Sequence, residues 1–277
     1  LKMSGKKQWG RTDELVRNIR EARQSGIPVT ADMYPYRAAS SGITNVFPKW
    51  TLEGGVEKAA ERLLSSDRGK IIAYLAENYQ TKADGEGLRI VTTYGRYPAA
   101  DGRNIYQLSR ELNLSMADTI AKVTMETHGH ASCIMFAMAE ADVMDLLGRD
   151  IAIGSDGRGI PLEPDKNKGK PHPRNYGTFP RFLRLAREKN LCPLETAVFR
   201  MTKKSADIVG LKDRGVLRPG LAADITVFDP ARIADRATYE NPFQRCEGIE
   251  HVIVNGKPAV YAGDQTDNRP GKFLLKR

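Results

Sequence analysis

Asp156 is the residue of this 277-residue sequence whose setting most strongly suggests chemistry. It follows a short apolar run at residues 151–153 and is flanked by Gly154 and Gly157. Active sites of parallel α/β folds are built at the carboxyl ends of the strands. A carboxylate in that place can ligate a metal ion or transfer a proton. The alternative is a structural role in the turn that follows, because Asp is common before Gly in turns.

Arg174 is a candidate for binding an acidic group. It lies near the end of residues 157–177, a stretch rich in Gly, Pro and Lys that we predict to be a long loop, and such loops are usually functional or disordered. A guanidinium pairs with a carboxylate through two parallel hydrogen bonds. Arg174 could therefore hold an acidic substrate, although a surface arginine is the simpler interpretation. His172, between two prolines, could support the site from behind or be exposed.

Four further residues have types that could serve a site. His128 and His130 have the spacing of two metal ligands on one face of a strand. Gly129 separates them, however, and no apolar residues precede them as a strand would require, so we predict the end of a helix instead of a metal pair. Tyr34 and Tyr36 end a predicted strand, where either hydroxyl could point into a cleft or either ring could belong to the core.

The apolar spacing predicts an α/β arrangement around these residues. A helix over residues 12–25 runs into a buried strand over residues 27–31, which is a helix-then-strand step. Further strands are predicted over residues 88–92 and 151–153. The remaining predicted helices span residues 53–79, 104–126 in two pieces around Asn113, 140–147, 178–190 and 193–208.

The sequence changes character after residue 208. Short apolar runs at residues 215–217, 223–228 and 251–254 alternate with Gly and Pro, as in a β-rich unit. Asn255-Gly256 between two such runs predicts a hairpin with a type I′ turn. We therefore expect an α/β portion over residues 1–208 and a β-rich portion over residues 209–277.

The composition excludes several classes of protein. Apolar residues make up 40% and charged residues 28% of the chain, which is a globular mixture. The net charge of +9 comes from scattered basic residues, so we expect no nucleic-acid partner. No apolar run reaches the roughly 20 residues that a membrane-spanning helix needs, so we expect no membrane partner. The three widely spaced cysteines favour a reducing compartment, and we expect a cytoplasmic location.

Several longer motifs give the chain a resemblance to a known family. They run over nearly the whole sequence, and two of them, around residues 172–180 and 223–230, are long enough to be specific. On these motifs the chain resembles the N-acyl-D-amino-acid deacylases (D-aminoacylases) of the amidohydrolase superfamily. The motifs are ADMYPY at 31–36, GSDG at 154–157, HPRNYGTFP at 172–180, LETA at 194–197, GLAAD at 220–224, FDP at 228–230 and VNG at 254–256.

The resemblance implies a fold, a reaction and roles for individual residues. The fold would be the carboxy-terminal part of a metal-dependent (β/α)8 barrel over residues 1–208, with an insertion at about 45–125, and part of a small β-sandwich over residues 209–277. The reaction would be attack of zinc-bound hydroxide on the amide carbonyl of an N-acyl-D-amino acid. Asp156 would be the catalytic proton shuttle and a metal ligand, while the substrate would be bound by Arg174, Tyr34 and Lys2.

The resemblance also implies that much of the zinc site is absent from this chain. The family holds zinc with a His-x-His pair, a Cys and two further His, and the last His would stand directly before Leu1. We therefore expect the chain to be the carboxy-terminal half of such an enzyme, to bind no catalytic zinc alone and to be inactive without the missing amino-terminal half. Two alternatives remain, a dihydroorotase- or hydantoinase-like enzyme acting on cyclic amides and a non-catalytic fragment or pseudoenzyme module.

Overall fold

A computed structural model of the protein describes residues 1–163 and 169–274. Residues 164–168 of the predicted long loop lie outside the described residues. The helices are α1 (Thr12–Gln24), α2 (Glu57–Arg62), α3 (Arg68–Asn78), α4 (Lys82–Glu86), α5 (Ile105–Leu112), α6 (Met116–Glu126), α7 (Glu140–Leu147), α8 (Arg174–Lys189), α9 (Leu194–Met201) and α10 (Lys203–Val209). The strands are β1 (Asp32–Met33), β2 (Ala39–Gly42), β3 (Leu88–Thr92), β4 (Ser132–Met135), β5 (Ala152–Ile153), β6 (Ile225–Phe228), β7 (Ile249–Val254), β8 (Lys257–Tyr261) and β9 (Asp264–Gln265).

Strands β1 and β5 form a short parallel pair that carries the candidate residues. Asp32 lies opposite Ala152 and Met33 opposite Ile153. Because the pair is parallel, the segments that follow both strands emerge at the same edge. That edge places the Tyr34 region beside the Asp156 region. Helices α7, α8 and α9 supply much of the apolar core around this pair, including Phe182, Leu147 and Ala197, which are fully buried.

Arg200 on α9 anchors β5 from behind. Its side chain is almost entirely buried, and its Nε and Nη1 donate hydrogen bonds of 2.7 Å to the carbonyl oxygens of Ile151 and Leu147. The guanidinium also lies 4.8 Å from the centre of the Phe182 ring. A buried cation therefore satisfies carbonyl groups at the end of α7 and the start of β5, which fixes the strand that leads to Asp156.

The segment between β1 and β5 contains a second sheet with its own core. Strand β4 lies between β2 and β3, and both pairings are antiparallel. Helices α2 to α6 surround this sheet. Asn104 caps α5, and Asn113 ends it with a left-handed φ of 52°, as the predicted break in the helix requires. The buried apolar residues here form a cluster separate from the one around β1 and β5.

The carboxy-terminal strands form a four-stranded antiparallel sheet in the order β6-β7-β8-β9. Asn255 and Gly256 join β7 to β8 with φ values of 47° and 77°. Both central residues have positive φ, as a type I′ turn requires, so the predicted hairpin is confirmed. Among the described residues, no helix combines the length and the apolar composition needed to cross a membrane.

Several predicted boundaries are wrong. Residues 27–31 contain no strand, and Ile27 is exposed, because β1 begins only at Asp32. No strand forms at residues 215–217 either. The helices predicted over 53–79 and 193–208 are each divided in two. The helix predicted to start at residue 178 starts at Arg174, so Arg174 belongs to a helix and not to a loop.

Candidate active site

Asp156 lies where β5 ends and carries a strained backbone. Its φ is 48°, a left-handed conformation that Asp adopts more readily than most residues. Gly154 precedes it in close contact with Asp32, so a side chain at position 154 would collide with the Asp32 carboxylate. This turn directs the Asp156 carboxylate, about half exposed, toward two cations.

Lys2 and Arg174 are these two cations. Lys2 Nζ lies 2.9 Å and Arg174 Nη1 lies 3.0 Å from the same oxygen, Oδ2 of Asp156. Partial burial opposes ionisation of Asp156, but the hydrogen bond from Lys2 and the charges of Arg174 and Lys2 outweigh it and lower the pKa of the carboxyl. Asp156 is therefore an anion at neutral pH that can accept a proton from a bound reactant.

The amino-terminal residues reach the site because they run beside β1. The amino group of Leu1 donates to the carbonyl oxygen of Asp32, which places the next residue, Lys2, alongside the end of the strand. Lys2 Nζ also lies 5.3 Å from the centre of the Tyr34 ring. The structure thus brings Lys2, Tyr34 and Asp156 together although 154 residues separate the first from the last.

Arg174 and Tyr34 form the more buried side of the site. Only 10% of the Arg174 side chain is exposed, and its guanidinium lies 5.1 Å from the centre of the Tyr34 ring. Within the described residues, neither Arg174 Nη1 nor the Tyr34 hydroxyl has a hydrogen-bond partner of good geometry. Burial raises the pKa of Tyr34 in spite of the two nearby cations, so the hydroxyl keeps its proton. Both groups can therefore donate hydrogen bonds to a ligand.

His172 is buried, so the interpretation of an exposed histidine is wrong. Its side chain contacts backbone at both ring nitrogens: Nε2 lies 3.0 Å from the carbonyl oxygen of Ala38, and Nδ1 accepts the backbone N–H of Arg174 at 3.0 Å. Burial, reinforced by the positive charge of Arg174, lowers the pKa of His172 to about 3. The ring is therefore neutral in the physiological range.

A cavity of about 510 Å³ opens between the Asp156–Arg174 pair and the sheet formed by β2, β3 and β4. Ser40 and Ser41 form part of its wall, as does His130. Its volume falls within the range of small-molecule sites. The lining residues come from the sheet of β2, β3 and β4 and from the chain that follows β5, so the segment between β1 and β5 forms one wall of the candidate site.

The sequence did not point to Asn175 as a cavity residue, and it offered His130 only as one half of a possible metal pair. His130 Nε2 lies 2.8 Å from Glu57 Oε1, so the ring is held against the cavity by a carboxylate from α2. Asn175 accepts the N–H of Arg158 at 2.8 Å and donates to the carbonyl of His172 at 2.9 Å, which ties the two ends of the loop together. The position of Asn175, directly after Arg174, was the available signal for that residue, and the signal for His130 was its spacing from His128.

The described residues of this chain do not by themselves form a metal site. In residues 1–163 and 169–274, no group of three or more His, Cys, Asp or Glu side chains converges to hold an ion. Asp156 is a single carboxylate already paired with two cations, and His130 is paired with Glu57. The prediction that His128 and His130 lie at the end of a helix is confirmed by their position after α6, which ends at Glu126.

Comparisons with known proteins show which proteins this chain is similar to. The model of the Amidohydrolase family matches residues 142–260. A D-aminoacylase of Alcaligenes xylosoxydans xylosoxydans is 35% identical over 277 residues, covering 99% of this chain and 47% of the relative. An N-acyl-D-aspartate deacylase of the same organism is 33% identical, covering 99% and 46%. The chain thus spans about half the length of these relatives.

A solved structure supports the same relationship. It is the N-acyl-D-glutamate deacylase of Bordetella bronchiseptica, determined with zinc and a phosphonate inhibitor that mimics the tetrahedral intermediate. Its TM-score is 0.70 at 31% identity, and the match covers 92% of this chain and 44% of that one. The motifs, the fold and these relatives agree, and the chain belongs to the D-aminoacylase family of the amidohydrolase superfamily.

Proposed function

We propose that the protein to which this chain belongs hydrolyses the amide bond of N-acyl-D-amino acids, releasing a carboxylate and a free D-amino acid. The observation that carries the proposal is the pairing of an ionised Asp156 with a buried Arg174 at the edge of a ligand-sized cavity. A site for this reaction needs a base beside a cation that recognises the substrate carboxylate. The relatives at 33–35% identity, a D-aminoacylase and an N-acyl-D-aspartate deacylase, support the same reaction.

Asp156 is proposed as the proton shuttle. Its lowered pKa keeps the carboxylate ionised at neutral pH, so it can take a proton from the attacking water. The same carboxyl group then delivers that proton to the departing amine nitrogen as the amide bond breaks. The exposure of about half of the Asp156 side chain leaves room for a substrate beside it.

Arg174, Tyr34 and Lys2 are proposed to bind the substrate. Arg174 Nη1, which pairs with Asp156, and the hydroxyl of Tyr34 both face the site from its buried side, where water competes least for a bound carboxylate. Lys2 adds a second positive charge on the exposed side of Asp156. Together they favour a substrate that carries a carboxylate next to the amide that is cleaved, in preference to the cyclic amides of a dihydroorotase- or hydantoinase-like enzyme.

Zinc is proposed as the cofactor of the complete protein. The deacylase structure from Bordetella bronchiseptica was determined with zinc, and a bound zinc ion would activate water and polarise the carbonyl. Of the residues described in this chain, Asp156 is the one candidate ligand at the site, and the remaining ligands would have to come from a preceding half of the protein. The described residues of this chain alone do not fit the ion.

The proposed architecture follows from the same relationship. We assign residues 1–208 to the carboxy-terminal part of a (β/α)8 barrel, with an insertion at about 45–125, and residues 209–277 to part of a small β-sandwich. The parallel pairing of β1 with β5 and the separate core of the segment between them support this assignment. The proposed partner is an amino-terminal half like the part of the relatives that lies outside the match to this chain. The three free cysteines support the proposed cytoplasmic location.

A fusion enzyme tests the reaction and the roles of the residues. The amino-terminal half of the Alcaligenes D-aminoacylase is placed before Leu1, and release of D-methionine from N-acetyl-D-methionine is measured with zinc. Asp156→Asn is expected to lower kcat by about 100-fold or more. Arg174→Lys is expected mainly to raise KM, because lysine cannot reproduce a two-bond contact.

Asp207→Asn provides the matched control, since Asp207 pairs with Lys203 on the surface of α10 and contacts no part of the site. A control that loses as much activity as Asp156→Asn would show that folding, and not chemistry, limits the fusion. Unchanged kcat in Asp156→Asn would remove the proton-shuttle role. Equal hydrolysis of the L-enantiomer would contradict the substrate class.

A further inference from the structure

His172 contacts both the arginine of the proposed carboxylate site and the opposite wall of the cavity. Its Nδ1 accepts the N–H of Arg174, the first residue of α8. Its Nε2 faces the carbonyl of Ala38, the residue before β2, and β2 contributes Ser40 and Ser41 to the cavity wall. One ring therefore joins the two elements that border the candidate substrate.

The two hydrogen bonds allow only one form of the ring. Because Nδ1 accepts an N–H, it carries no proton, and the proton must be on Nε2, where it is donated to the carbonyl of Ala38. The other neutral tautomer would set two donors against each other at Arg174 and two acceptors against each other at Ala38. A doubly protonated ring would lose the bond to Arg174 as well.

Packing prevents the ring from turning out of this position. The rings of Tyr36 and Tyr239 lie edge-on to it at centroid distances of 5.1 Å, and Tyr34 lies edge-on at 6.0 Å. Only 2% of His172 is exposed. Core packing alone would accept any flat apolar side chain here, whereas two directed bonds require a ring with one acceptor and one donor on opposite edges.

We propose that His172 is a positioning residue that holds Arg174 and the wall formed by residues 38–41 in the arrangement that binds the substrate carboxylate. This inference rests on the carboxylate-binding role proposed above for Arg174. His172 itself does not touch the reacting atoms. It satisfies a helix N-terminal N–H that would otherwise be unpaired, and it thereby fixes the residue from which the Arg174 side chain extends.

Two substitutions separate the two bonds. His172→Asn places a carbonyl oxygen near the position of Nδ1, so it can still accept the N–H of Arg174, but it cannot reach Ala38. His172→Gln places an amide N–H near Nε2 and keeps the bond to Ala38, but it leaves Arg174 without an acceptor. His251→Gln is the matched control, because His251 Nδ1 accepts the N–H of Ala262 at 3.2 Å in the carboxy-terminal sheet and His251 is not among the residues that line the cavity.

The first measurement uses the unsubstituted chain and needs no ligand. Long-range ¹H–¹⁵N correlation of the four ¹⁵N-labelled histidines reports the tautomer of each ring. We assign the ring signals of His172 as those that are absent from the spectrum of His172→Asn, and we expect them to show the proton on Nε2. A proton on Nδ1, or rapid exchange between the tautomers, would overturn the inference whether or not the variants fold.

The second measurement is calorimetric binding of N-acetyl-D-leucine to the unsubstituted chain and its variants. His172→Gln is expected to bind the ligand about fivefold more weakly, because the N–H of Arg174 loses its one hydrogen bond to residue 172. His172→Asn is expected to bind the ligand within about twofold of the unsubstituted chain. His251→Gln should bind normally. A residue with only a structural role would weaken binding in proportion to the fall in Tm and would not produce this order.

The outcomes distinguish the inference from the proposed function. If Arg174→Ala abolishes binding but His172→Gln and His172→Asn bind alike, the positioning role is wrong and the carboxylate site stands. If the unsubstituted chain and Arg174→Ala behave alike toward N-acetyl-D-leucine, with or without binding, the carboxylate site is wrong and the positioning role falls with it.

Discussion

Arg200→Met tests whether the buried arginine behind β5 holds the strand that leads to the site. The substitution keeps most of the apolar stem, which packs beside Phe182, and removes the two hydrogen bonds to the carbonyls of Ile151 and Leu147. Because Arg200 is 1% exposed, water cannot replace these bonds, and both carbonyls lose a partner in the interior.

The magnitude follows from the number of bonds. Each hydrogen bond from a charged donor contributes about 1.5–3 kcal/mol, so two contribute about 3–6 kcal/mol. Removing a buried cation, whose pKa is lowered by burial, recovers part of that free energy. We expect a net loss of about 3 kcal/mol in the free energy of unfolding. With a slope of about 3 kcal/mol per molar for a chain of this size, the midpoint of urea unfolding falls by about 1 M.

Arg187→Met is the matched control for this measurement. Arg187 also donates from Nη1 to two carbonyl oxygens, those of Pro230 and Ile233, but 37% of its side chain is exposed. Water can reach these carbonyls in the variant, so we expect a loss below about 1 kcal/mol. Urea unfolding followed by circular dichroism compares the two variants. A midpoint shift for Arg200→Met below about 0.3 M, or equal to that of Arg187→Met, would refute the reasoning.

Three further measurements address the metal, the histidine and the thiols. After exposure to zinc and desalting, the chain alone should hold far less than one zinc per polypeptide by elemental analysis; one tightly bound zinc would contradict the expectation. His172 has a native pKa of about 3 against about 6.5 when unfolded, so its stabilisation is complete above pH 6.5 and is lost as the pH falls toward 3. Urea unfolding at pH 4–7 should show a shallower acid loss for His172→Asn, and an identical slope would contradict this. Burial raises the pKa of Cys133 to about 12, so it should react with a thiol reagent only after unfolding, later than Cys192; simultaneous reaction of both would show that this core opens.

The contrast between predicted and observed strands shows where local pattern suffices. Residues 88–92 were predicted correctly because a short run of apolar and β-branched residues marks the strand, and Asn255-Gly256 encodes its turn in its own backbone preference. Residues 27–31 and 215–217 have similar apolar character but form no strand. A strand needs a neighbouring strand to pair with, and the residues of these two segments do not encode whether one is present.

The sequence by itself determined the identity of the reactive groups. An apolar run followed by Gly154, Ser155 and Asp156 places a carboxylate after a strand, and the motifs around Asp156 and Arg174 carry the family resemblance. These features are local, because φ preferences, strand ends and short motifs depend on adjacent residues.

Only the tertiary structure decided which groups meet. Lys2 and Arg174, which are far apart in the sequence, converge on one oxygen of Asp156, and His130 reaches the cavity from the segment that leads into β4. It also decided that His172 is neutral and buried instead of exposed. Burial, ion pairing and pKa depend on distances between residues far apart in sequence, and those distances are set by how β1, β5 and the intervening sheet pack together.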